Sequence, residues 1–377
     1  MKKWLLMGCL LLASGCSNTA FALKGAERTE NAVEEQIDFR IGLAVGSAFT
    51  LNANTYEAIS WEGVVQYVNR YPRLQVQRGV PQKDEDPEFQ KNVDQLLEME
   101  CDVIIGLGDM YSEIFQTAAK ENPETVFMLF QGGGLQPESE NLVSIEFEDQ
   151  QSSFLGGVAA ALNTESGKVG FLGGDSNDSV VRQMLGFEAG VLYANAQFGT
   201  IAAFQKPQFA GTFEDMTKGR SLAKKMYGEG LDVIFVCAGT TGMGAIEQAK
   251  VLSEQEREVW LIGVDKDLYD EGKGADEKSV ILTSVIKHMD VVLYEILEDY
   301  ARDRFPSGSY LLRNLADGSQ GLPKENKNFN EKTSVLVGKV QEEIVSGELV
   351  LPYELEALDS YVKSLGGIGR VEEDSHE

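Results

Sequence analysis

The chain has 377 residues, enough for two or three domains, and carries 33 Lys+Arg against 60 Asp+Glu for a formal net charge of −27. That balance excludes a protein built to grip nucleic acid, which needs basic patches. A hydrophobic share of 43% with 39 Gly and 9 Pro is globular, and two His with four Cys leave little for a histidine-based hydrolase or a structural metal site, so neither metal nor cofactor is expected.

The first element is an address. Lys2 and Lys3 precede an apolar run over 4–13, too short to span a bilayer, and Ser14-Gly15-Cys16 follows. The ending Leu12-Ala13-Ser14-Gly15-Cys16 resembles a bacterial lipobox, in which the Cys16 thiol takes a lipid and becomes the new N-terminus. The competing reading is a soluble secreted chain cut near Ala20 or Ala22. The organisation expected is a leader over 1–15, a tether over 16–36 and an extracytoplasmic domain anchored to the cell membrane through Cys16. Cys101 and Cys237 sit beside apolar runs and read as buried free thiols.

Short runs rich in Val and Ile then alternate with amphipathic stretches. Strands are predicted over 39–45, 103–107, 126–130, 142–147, 169–173, 233–237, 259–264 and 280–285. Helices are predicted over 58–70, 87–99, 111–119, 152–162, 179–194, 216–227, 243–252 and 289–303. This rhythm means a doubly wound α/β chain, and its length calls for two lobes. Glycine-rich loops follow the strands at Gly106-Leu107-Gly108, Gly132-Gly133-Gly134, Gly173-Gly174 and Gly239-Thr240-Thr241-Gly242. None has the spacing of a P-loop or dinucleotide fingerprint. Four such loops at strand ends point to a ligand cleft.

Specific stretches then carry a resemblance: Phe147-x-x-Gln150-x-x-Ser153-Phe154-Leu155-x-Gly157-Val158-Ala159-Ala160, Gly186-Phe187-Glu188-Ala189-Gly190, Gly211-Thr212-Phe213, Gly263-Val264-Asp265-x-Asp267 and Leu282-Thr283-Ser284-x-x-Lys287. Over about residues 40–352 the chain resembles the basic membrane protein family, purine-nucleoside-binding lipoproteins that serve ABC importers. The resemblance implies a type I periplasmic-binding fold, two Rossmann-like lobes with parallel sheets and a hinge cleft. Lobe 1 is expected over 37–145 plus about 286–315, lobe 2 over 146–285 plus about 325–355, and an acidic tail, with a short helix over 355–362, over 356–377. Crossovers are expected near 143–147, after Asp265 and near 315–329.

The resemblance also implies a ligand set. The register of Trp61-Glu62-Gly63 puts Tyr56 where the family has a stacking Phe and Glu57 where it has Asn. Ser47 and Ala53 stand where it has Asp, and Gln131 replaces a further Asp; Asp265 and Lys287 match. With Asp109 and Gly239, the expected ligand-binding residues are Ser47, Tyr56, Glu57, Asp109, Gln131, Gly239, Asp265 and Lys287. Bland readings stand beside these: Tyr56 as a core aromatic, Asp109 and Asp265 as helix caps, Lys287 as a solvated lysine. The altered first-lobe half changes the donor–acceptor pattern, so the ligand is expected to be nucleoside-like without being an ordinary purine nucleoside.

No nucleophile–base pair is evident, so no catalytic residue is assigned and the chain is read as a binding protein, not an enzyme. The leading expectation is capture of a nucleoside-like small ligand for an ABC permease at a membrane surface, without nucleic acid. The alternative is a sensory or surface-interaction protein of the same fold.

Overall fold

The computed structural model describes residues 37–47, 55–71, 73–83 and 85–368. Cys16, the leader, the tether, Ala53 and the end of the acidic tail beyond residue 368 lie outside them. The chain begins with β1 (Arg40–Ala44), α1 (Tyr56–Arg70), β2 (Gln75–Gly79), α2 (Asp86–Glu98), β3 (Val103–Leu107), a 3-10 turn (Asp109–Tyr111), α3 (Ser112–Glu121), β4 (Val126–Phe130) and β5 (Leu142–Phe147). It then enters α4 (Asp149–Asn163), β6 (Lys168–Gly173), α5 (Asp178–Phe198), β7 (Ala203–Phe204), β8 (Gln208–Phe209), α6 (Met216–Gly228), β9 (Val233–Cys237), α7 (Gly239–Ser253), β10 (Trp260–Asp265) and β11 (Ile281–Lys287). It closes with α8 (Met289–Ala301), β12 (Tyr310–Arg313), β13 (Gln320–Gly321), α9 (Glu331–Val345) and α10 (Leu355–Ser364).

The central strands are apolar on both faces, so they pair inside sheets with helices over each side. One sheet runs β12-β5-β4-β3-β1-β2, all parallel. Its faces bury Tyr67, Phe130, Phe147 and Leu293 on one side, and Phe115 and Phe127 on the other. The second sheet runs β13-β11-β10-β9-β6-β7, with β8 also on β6; only β13 is antiparallel. It buries Phe154, Phe171, Phe187 and Phe235 against α4 and α5, and Tyr227, Ile234 and Leu261 under α6 and α7. These are the two Rossmann-like lobes of the expected architecture.

The chain passes between the sheets after Phe147, at His288 and between Arg313 and Gln320. The second passage corrects the crossover expected after Asp265. From Asp265 the chain turns back and pairs β11 beside β10 in the same sheet. His288 marks the true exit, its N–H held by the Ser319 carbonyl at 2.8 Å.

Other departures are local. α4 begins three residues earlier than expected and α7 four, because the polar stretch at 149–151 and the glycines at 239–242 are both helical. β2, β7, β8, β12 and β13 carry no long apolar run. The segment at 355–364 is not part of a loose tail: Leu358 and Val362 of α10 are fully buried in the second lobe's core. Cys101 and Cys237 are buried free thiols. Among the described residues, no helix is long and apolar enough to cross a membrane.

Candidate functional site

The carboxyl ends of both sheets' strands face one cavity of about 620 Å³, within the range of small-molecule sites. Of the eight residues expected at a ligand site, it brings together seven: Tyr56, Glu57, Asp109, Gln131, Gly239, Asp265 and Lys287. Ser47 does not line it; its neighbour Gly46 does.

On the first lobe, Thr55 caps α1 by accepting from the Ala58 N–H at 3.3 Å, which puts Tyr56 in the first helical turn. The Tyr56 ring lines the cavity, and its hydroxyl lies 3.5 Å from the Leu107 carbonyl oxygen. Burial holds that hydroxyl well above the ordinary tyrosine range, with Glu57 adding to the effect. Glu57 Oε1 accepts from the Gly46 N–H at 3.1 Å, pinning the end of β1. Asp109 opens the 3-10 turn after Gly108, whose φ of 106° suits glycine, and its side chain makes no capping bond. Gln131 has a left-handed backbone, φ 54°, and its amide donates to Ser179 Oγ at 3.1 Å on the second lobe.

That bond starts a chain. Ser179 Oγ donates to Asp149 Oδ2 at 2.7 Å, and Asp149 Oδ1 holds the Lys287 ammonium at 2.8 Å. Asp149 is 2% exposed and Lys287 5%, so the lysine is not the solvated side chain of the bland reading. Burial alone would lower the Lys287 pKa; Asp149 and Asp265 together outweigh it and hold it above its usual value. The ammonium also sits 5.2 Å from the Phe147 ring centroid.

Asp265 ends β10 with φ 69°. Its carboxylate has no hydrogen bond or ion pair among the described residues. No helix follows it to be capped; Asp267 closes the next turn by accepting from the Tyr269 N–H at 3.0 Å. Burial pushes the Asp265 carboxyl up to about 6, against the opposing pull of Lys287. The unengaged carboxylate is free to accept hydrogen bonds from a ligand.

Five functional candidates escaped the sequence reading: Asp149, Ser179, Phe213, Glu146 and Arg182. Phe213 stands on the second lobe and lines the cavity opposite Tyr56's lobe. A Cβ on Gly174 would lie 2.2 Å from its ring, and one on Gly239 3.2 Å from its carbonyl oxygen, so glycine at both positions leaves it room. Phe213 was visible within Gly211-Thr212-Phe213; a buried Lys287 also demands a carboxylate, which Asp149 supplies.

Residues 44–354 match the model of the Bmp family, described as ABC transporter substrate-binding protein, PnrA-like. The chain is 28% identical over 360 residues to the ABC transporter nucleoside-binding protein BmpA of Lactococcus lactis subsp. cremoris, covering 93% of this chain and 99% of that one. It is 32% identical over 282 residues to basic membrane protein B of Borreliella burgdorferi, covering 74% and 77% respectively. A solute-binding protein of an ABC transporter system from Aeropyrum pernix K1 superposes with a TM-score of 0.74 at 21% identity, covering 88% of this chain and 97% of that one, which shows the shared fold. With a cleft between two α/β lobes and a family match across both of them, this chain belongs to the Bmp family of PnrA-like ABC transporter substrate-binding proteins.

Proposed function

We propose that this protein is the extracytoplasmic capture component of an ABC importer, anchored by a lipid on Cys16, that takes a nucleoside-like ligand and presents it to a permease. The observation that carries the reading is one cavity with an aromatic ring from each lobe, Tyr56 and Phe213, and an unengaged carboxylate, Asp265, beside Lys287. A flat base suits the two rings. Ribose hydroxyls suit Asp265, which only accepts when ionised, and Lys287, which only donates. The base edge is read differently from the family pattern, because Glu57 holds Gly46 and Gln131 holds Ser179. That difference supports a ligand other than an ordinary purine nucleoside.

The test is a thermal-shift screen of the chain from residue 17 onward against nucleosides, bases, sugars and amino acids. A ligand at about 100 times its Kd stabilises the fold by roughly 2.7 kcal/mol. Nucleosides are expected to shift Tm, and Tyr56→Ala to weaken their binding by about 1–3 kcal/mol, the usual worth of one base–aromatic stack. Silence across every nucleoside overturns the reading and favours a sensory protein with another ligand.

A further inference from the structure

The cavity extends beyond the Tyr56–Asp265 region into a chamber beside the crossover strands. Its wall on the first lobe is Glu146 of β5 and Tyr310 of β12. These strands are paired with Leu312 opposite Glu146 and Tyr310 opposite Ser144, so the two side chains share a face of the sheet. The second lobe supplies Arg182 and Gln183 from α5, and Tyr353 from the segment before α10. The Arg182 guanidinium lies 4.2 Å from the Tyr353 ring centroid and its Nε donates to the Tyr353 carbonyl at 3.1 Å. The two phenols meet at 3.3 Å, with Tyr310 donating.

Packing does not account for the polar groups here. Arg182 is 7% exposed, yet its two terminal nitrogens have no partner among the described residues. Gln183 is 4% exposed and its Oε1 accepts nothing from them. One oxygen of Glu146 takes the Gly134 N–H at 3.0 Å, and burial pushes its carboxyl above the usual carboxylate range. Buried polar groups left unpaired cost free energy, and sites that keep them discriminate strongly for a ligand that pairs them.

We propose that this chamber is a second subsite for an α-amino-acid group, with the ligand's carboxylate on the Arg182 terminal nitrogens and its ammonium on Glu146. Arg182 and Glu146 carry opposite formal charges, which matches a zwitterion better than a lone anion or a lone cation. A planar guanidinium already stacked on Tyr353 is oriented for two-point contact with a carboxylate. The group arrives either on a free amino acid or as the 5′-extension of a nucleoside; the latter case rests on the nucleoside reading above.

The test is isothermal titration of the chain from residue 17 with adenosine, S-adenosylhomocysteine and methionine. S-adenosylhomocysteine is expected to bind at least tenfold tighter than adenosine. Arg182→Met and, separately, Glu146→Gln are each expected to reduce that ratio by roughly tenfold, the worth of a charge-assisted hydrogen bond. Because the readout is a ratio within one variant, a general loss of folding does not imitate it, and two variants guard against one failing to fold. Methionine binding alone, weakened by Arg182→Met, supports the subsite as one for a free amino acid. Adenosine binding with S-adenosylhomocysteine equal or weaker overturns the subsite and leaves the nucleoside reading intact. Failure of all three overturns the subsite, while the nucleoside reading is decided by the full nucleoside panel above.

Discussion

Asp149 and Lys287 are a buried ion pair at the point where β5 and β11 leave their sheets. Removing one partner of such a pair strands a charge in a poorly solvated place, at a cost of about 3–5 kcal/mol. Asp149→Ala is therefore expected to lower the free energy of unfolding by that amount in urea melts, and Asp149→Ala/Lys287→Met to recover part of it. Asp265 behaves oppositely. Its folded pKa of about 6 lies above the ordinary 3.8, so ionisation opposes folding. The empty protein is expected to lose stability as pH rises from about 3.8 through about 6, and Asp265→Asn to flatten that change. Ligand hydroxyls need the ionised form, so nucleoside affinity is expected to fall below pH 6 in the wild type. Titration calorimetry between pH 5 and 7.5 checks this, and an affinity independent of pH would remove Asp265 from the site. Lys287, Asp265, Tyr56, Glu57 and Gln131 were legible because local motifs carry them. Asp149 and Arg182 were not, because their partners lie 30 or more residues away in sequence.

The α4–α5 contact explains why glycines dominate the motifs at 156–157 and 186–190. A Cβ on Gly157 would lie 2.0 Å from the Phe187 carbonyl oxygen, and one on Gly190 2.0 Å from that of Phe154. The two helix backbones approach too closely for any side chain there, which brings the start of α5, with Ser179 and Arg182, against the start of α4, with Asp149. Gly338 in α9 is exposed, and a Cβ there meets nothing within 4 Å. The same substitution should therefore have opposite signs at the two places. Gly190→Ala is expected to destabilise by more than about 1 kcal/mol through overpacking, and Gly338→Ala to stabilise by roughly 0.5–1 kcal/mol through helix propensity. Thermal melts of both variants decide it; equal shifts would mean the helix contact is softer than described. The buried strands were legible because burial on both faces leaves a continuous apolar run. β2, Gln75-Val76-Gln77-Arg78-Gly79, was not, because it forms an edge of the first sheet and is only partly buried. The start of α7 was hidden because glycines that clear space for neighbouring backbone look like a loop in one dimension.

At the scale of the whole binding domain, three crossovers join two sheets, and such an arrangement permits one lobe to close on the other while each core stays intact. The contact between Gln131 on one lobe and Ser179 on the other crosses the cleft directly. It sits on the same hydrogen-bonded path, through Ser179 and Asp149, that ends at Lys287. A bond between the lobes that is lost when they part shifts the population toward closure, and the apparent affinity rises with that population. Its contribution is small because Gln131 bonds water when the lobes part; a neutral hydrogen bond nets about 0.5–1.5 kcal/mol. Either single substitution also disturbs other contacts, since Gln131 lines the cavity and Ser179 donates to Asp149. The double-mutant cycle Gln131→Ala, Ser179→Ala removes those separate effects. It is expected to return a coupling of about 1 kcal/mol in ligand affinity, expressed as faster dissociation with little change in the association rate. Additive losses would mean that the two lobes close without using this bond, and that ligand contacts alone hold them together.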